Sequence, residues 1–119
     1  VRVEEEHRRV PAHRLIATQN AIELEKYELV LPLVREGLLD VPVLVEEHFT
    51  DHGYVRYLID GHTRTRVSID LGRQSVDAFV IYSTAGDWSS NFVRVAEQYG
   101  NVYVKDLPIV PRGVRPTAS

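Results

Sequence analysis

The sequence predicts a small α/β domain of the mixed α+β kind, with about three helices packed on a mixed, twisted sheet. Three features carry that expectation. Tyr54–Ile59 has the alternation and residue types of a strand, and Thr63–Leu71 follows it as a helix across a tight Asp60-Gly61 turn. Val41, Val43, Leu44 and Val45 form an apolar run of the sort found on an inner strand covered on both faces. Ala21–Glu36 and Trp88–Tyr99 have helical composition, and each ends at a glycine, Gly37 and Gly100.

At 119 residues the chain is long enough for one real core and too short for two. Its apolar content of 44% and charged content of 26% are those of a soluble globular protein. The net charge is −3, whereas a protein that lives on nucleic acid usually carries a basic excess. With no cysteine, disulfides, thiolate metal sites and thiol catalysis are excluded. No apolar run approaches a membrane span, and the acidic opening is not expected to act as a signal peptide, so a cytoplasmic location is the expectation.

In order, residues 1–9 are expected to be a charged arm, frayed or forming a short first strand through Val1 and Val3. Arg9–Ile16 reads as an irregular edge strand around Pro11. Asn20 is the expected cap of the first helix, with Glu23 completing a capping box. That helix, Ala21–Glu36, has Ile22, Leu29, Leu33, Lys26 and Val30 on one face, with Leu24, Tyr27, Leu31 and Val34 filling much of the rest, so burial on more than one side is expected, as is a kink near Pro32. Asp40–Glu47 is a strand, Phe49–Gly53 a hairpin turn, and Tyr54–Ile59 the returning antiparallel strand. Gly72 closes the second helix, and Gln74–Tyr82 is another strand. Asp87 is the expected cap of the third helix, whose inner stripe is Trp88, Phe92, Val95 and Tyr99. Asn101–Lys105 is a last short strand. The chain thus divides into an arm (1–9), a domain (10–106) and a Pro- and Arg-containing tail (107–119).

The turn Asp60–Arg66 carries the chemistry. The N–H groups that open a helix have no partners within it and bear partial positive charge. Gly61 permits a sharp turn and close approach of a ligand, and Arg64 and Arg66 add full charges. A phosphate site fits this pattern, and so does a plain strand-to-helix turn with two solvated arginines.

Leu58-Ile-Asp-Gly-His-Thr-Arg64, followed by a helix ending in Leu71-Gly72, resembles the ParB/sulfiredoxin superfamily. Upstream, Val10-Pro-Ala-His-Arg-Leu-Ile16, the helix Ala21–Glu36 with Lys26, and the strand over Gly37–Val45 also resemble that family, so the likeness covers about residues 10–82. The Asp-Gly-His-x-Arg form is closest to an archaeal branch that includes free-serine kinases. The resemblance implies a ParB/sulfiredoxin fold and a nucleotide (ATP, ADP or CTP), with or without Mg²⁺, held by Arg64 and Lys26. Where sulfiredoxin has its cysteine this chain has His62, so sulfinic-acid reduction is not expected. Where sulfiredoxin has a histidine before the arginine, Thr63 stands. The loop Thr18-Gln19-Asn20 lacks the carboxylate that the family's serine kinases place there.

Each candidate has a plainer alternative. Asp60 is a base, a Mg²⁺ ligand or a helix cap, and His62 a general base, a phosphate donor or an exposed turn histidine. Thr63 and Thr65 are phosphate partners or caps, Lys26 a phosphate ligand or a solvated lysine, and Thr18 and Gln19 rim contacts or ordinary loop residues. Three functions remain open: a domain binding a nucleotide or phosphorylated ligand, with or without phosphoryl transfer; a ParB-like module associated with DNA in plasmid or chromosome maintenance, the family's nuclease label included; and a catalytically silent interaction domain. A metal site at His48, Asp51 and His52 is not expected, because turn composition explains those residues.

Overall fold

The computed structural model describes residues 2–86 and 88–115. Five strands form a mixed sheet: β1 (Val3–Pro11), β2 (Leu15–Ala17), β4 (Val43–Thr50), β5 (Gly53–Asp60) and β6 (Ser75–Ser83), in the spatial order β1-β6-β4-β5-β2. Short strands β3 (Ile22–Glu23) and β7 (Ile109–Val110) pair in parallel as a separate ribbon. The helices are α1 (Leu24–Arg35), α2 (His62–Asp70) and α3 (Asn91–Gln98), with a 3₁₀ turn at Val104–Asp106. No helix among the described residues is long and apolar enough to cross a membrane.

The expected inner strand is central: β4 runs parallel to β6 on one side and antiparallel to β5 on the other. Val43, Val45, Leu58, Ala78 and Val80 from these strands join Val10, Leu15, Ile22 and Val104 in the main core. A smaller cluster of Val30, Val34 and Val67 packs α1 on α2. Gly37, in the left-handed region at φ 73°, ends α1. Its N–H bonds Val34 O at 3.1 Å and that of Leu38 bonds Leu33 O at 2.8 Å, the paired bonds of a Schellman stop.

Several expectations are corrected. From Val3 onward the charged opening is a nine-residue edge strand on β6, longer than a short first strand. Its charges suit an edge, where they discourage pairing with other chains. The capping box at Asn20 does not form: β3 intervenes, and α1 starts at Leu24 after Glu23 with no side-chain cap bond. α1 is not buried on more than one side: Leu29 and Leu33 of the first expected face are exposed, while Tyr27, Leu31 and Val34 pack inward with Val30 as expected. Val41 is exposed and precedes β4. Asp87 lies outside the described residues, and α3 begins four positions later at Asn91, capped by Ser90. Phe92 and Tyr99 are exposed, Trp88 is only half-buried, and Ala96 is the buried residue of α3. Asn101–Lys105 forms one bridge and the 3₁₀ turn instead of a strand. Within the tail, Leu107 is buried and Ile109–Val110 is β7, while residues 116–119 lie outside the described residues.

Glu46 holds α3 to the sheet. It is fully buried, and one oxygen lies 2.7 Å from His48 Nε2. The Ser90 backbone N–H donates to that oxygen at 3.0 Å, and the Ser90 hydroxyl donates to the other. His48 in turn stacks on Trp88 at 6.4 Å.

Candidate functional site

Strand β5 delivers the chain to Gly61, which takes a left-handed φ of 102° and caps α2 without any side-chain bond. A Cβ at Gly61 would lie 2.4 Å from Val43 Cγ1 and 3.2 Å from Arg64 Nη2. The glycine is therefore required by its conformation and by contacts inside the protein, apart from any ligand. Asp60 is exposed and does not cap the helix.

His62 is buried. Its Nε2 accepts the Thr18 backbone N–H at 3.0 Å, so the neutral ring carries its proton on Nδ1. Burial pushes its pKa down to about 4; the Asp60 charge pulls the other way and the Lys26 charge adds to the depression. It is not the exposed turn histidine of the plainer alternative, and the nitrogen a general base would use is already engaged. Thr18 also donates its hydroxyl to Leu58 O at 2.7 Å, and Gln19 Nε2 donates to Ala21 O at 2.7 Å. Asp60, Lys26, His62 and Thr18 thus share one side of the α2 start, with Lys26 exposed.

Arg64 faces elsewhere. Two positions along a helix turn a side chain by about 200°, and the Arg64 guanidinium donates to Val41 O. It lines a cleft of about 150 Å³ with Arg9, Arg73, Ser68 and the turn after α1. Among the described residues it forms no ion pair. Arg66 does not solvate a phosphate: it pairs with Asp70 and donates to Val104 O and Leu107 O, pinning the C-terminal segment. Thr63 and Thr65 are buried, and among the described residues the Thr65 hydroxyl has no partner. No local pattern announces that Arg9 and Arg73 meet Arg64; Arg73 follows the Gly72 stop and reaches back to Val34 O at 3.0 Å.

A second, larger concavity of about 600 Å³ lies near the β4–β5 hairpin, lined by Arg8, Glu47, Tyr54 and Tyr82 among others. Among the described residues no group of three or more His, Asp or Glu side chains is placed to hold a metal ion.

No protein-family model matches the chain, and no curated protein matches it. Solved structures do. A Pnob8-like ParB-N domain superposes with a TM-score of 0.54 at 16% identity, covering 84% of this chain and 39% of that one. Protein Atu1540 from Agrobacterium tumefaciens superposes with a TM-score of 0.55 at 20% identity, covering 84% of this chain and 51% of that one. The chain spans about two fifths and one half of those two proteins. Its fold is the ParB/sulfiredoxin-like one that the motifs implied.

Proposed function

We propose that this domain binds a nucleotide, or another phosphorylated ligand, at the start of α2. The observation that carries this is the uncapped helix end: α2 opens on Gly61 with no side chain satisfying its N–H groups, and Arg64 beside it has no carboxylate partner among the described residues. Unpaired N–H donors, a positive helix end and a guanidinium together favour an oxyanion. Lys26 adds a further charge on the His62 side. In this reading Thr18, Gln19 and His62 position the loop instead of reacting, and Thr63 and Thr65 support the helix from within. Asp60 is the exposed carboxylate at the turn and would meet Mg²⁺ brought by the phosphates. Any phosphoryl transfer would need Asp60, because His62 has no free lone pair at Nε2.

Calorimetric titration with ATP, ADP and CTP, with and without Mg²⁺, tests the proposal. Arg64→Ala should weaken the nucleotide that binds by roughly ten- to a hundredfold. If no nucleotide or phosphorylated ligand binds the wild-type domain, the silent interaction domain becomes the better reading. The other reading of the motif is association with DNA. With a net charge of −3, weak binding without sequence preference is expected; tight, sequence-selective binding at physiological salt would favour that role instead.

A further inference from the structure

Three arginines that are far apart in the sequence line one small cleft. Arg9 comes from β1, Arg64 from the first turn of α2, and Arg73 from the residue after the Gly72 stop. Arg9 is already neutralised: it pairs with Asp77 at 3.3 Å and bonds the Ser75 hydroxyl at 3.1 Å. Arg64 and Arg73 are not. Each donates to one backbone carbonyl, Val41 O and Val34 O, and among the described residues neither forms an ion pair. A guanidinium carries five N–H donors, so most of theirs remain free for a ligand. Two unneutralised like charges on one cleft also repel, a cost that an anion between them removes. Against them stand the exposed Asp40 and the Arg9-paired Asp77, both lining the cleft and both opposing an anion.

We infer that this cleft seats a compact oxyanion, the phosphate of a phosphomonoester or of a nucleotide's phosphate chain, clamped between Arg64 and Arg73. The inference rests on the phosphate reading of Arg64 and deepens it. The cleft lies on the flank of α2 that faces Val41 and Arg73 and is not lined by Gly61, His62 or Thr63, so its oxyanion is a second phosphate of the ligand, beside the one at the helix end. The clamp also adds Arg73 as a binding residue that the turn motif does not contain. A cleft of about 150 Å³ has room for a phosphate group.

Inorganic phosphate is the probe, titrated against the intact chain by calorimetry at constant ionic strength set with chloride. Arg73→Ala should weaken phosphate binding by about tenfold or more. Asp40→Asn, an exposed change with no fold to lose, should strengthen it by about threefold. Thermal melts of both variants confirm that each is folded. Phosphate binding unchanged in both variants overturns the inference; if Arg64→Ala alone weakens phosphate or nucleotide, the turn still binds phosphate and only the clamp falls. Nucleotide binding without phosphate binding likewise overturns the clamp alone. A wild-type chain that binds neither overturns both.

Discussion

The Nε2 atom of His62 accepts the backbone N–H of Thr18 at 3.0 Å, tying the loop after β2 to the first residue of α2 across 44 positions of sequence. The bond needs a neutral ring. Burial supplies that by pushing the pKa from the usual 6.5 down to about 4, against the opposing pull of Asp60 and with help from Lys26.

Stability should therefore depend on pH through this residue. Above pH 6.5 the ring is neutral in both folded and unfolded chains. Between 6.5 and about 4 the unfolded chain binds a proton that the folded one refuses. Stability falls as pH drops through that window, by about 3 kcal/mol in all. Denaturant unfolding at pH 7.5 and 4.5 measures it. His62→Ala should remove this slope, cost about 2–4 kcal/mol at pH 7.5 and weaken nucleotide binding by freeing the Thr18 loop.

Gly61→Ala should be severely destabilising for two separable reasons. The residue sits at φ 102°, and its Cβ would lie 2.4 Å from Val43 Cγ1. Conformational strain of about 1–2 kcal/mol adds to the steric clash. Val43→Ala in the Gly61→Ala background should recover the clash and leave the strain, so the double variant should be more stable than the sum of the two single effects. Strict additivity of the three unfolding free energies would show that the contact does not matter.

The sequence displayed the turn but not the directions of its side chains. Asp-Gly-His-Thr-Arg announced a strand, a tight turn at glycine and a helix, and all three are present. That His62 turns inward to Thr18 while Arg64 turns out to Val41 depends on how α2 lies on the sheet, which local spacing does not encode. Glu46 and Glu47 were hidden for the same reason. At the end of an apolar strand two carboxylates look solvated, yet partners from distant positions, Ser90 and Arg8, allow both to be buried on opposite faces of β4. The ribbon of β3 and β7 has two residues per strand, too few for a period to show. The cap of α3 was legible in principle, because Ser90 is a favoured N-cap residue, but apolar spacing drew the start back to Trp88.

Glu47 carries the last prediction. Its side chain is only 6% exposed and accepts from Arg8 Nη2 at 2.8 Å, Arg8 Nη1 at 3.1 Å and Arg56 Nε at 2.8 Å. Burial alone would raise its pKa, but the two guanidiniums outweigh it and hold the carboxyl below the ordinary 4.5. The sign is thus opposite in origin to that of His62 yet acts in the same direction. The stabilisation is fully present above pH 4.5 and is lost as pH falls through the lower folded value. It follows the His62 window on the acid side, so acid unfolding should come in two successive losses, with only the second absent in Glu47→Gln. Glu47→Ala leaves Arg56 without its carboxylate and Arg8 with only the more exposed Glu6, 3.6 Å from its Nε. The Arg8 and Arg56 side chains are 28% and 22% exposed, so water moderates the cost to about 2–4 kcal/mol at pH 7. Urea unfolding of Glu47→Ala, Arg8→Ala and the double variant separates pair from packing. If Glu47→Ala alone costs under about 1 kcal/mol, the two guanidiniums find water readily, and this end of the sheet is held by Tyr54 and Tyr82 stacking on Arg56 and Arg8 instead.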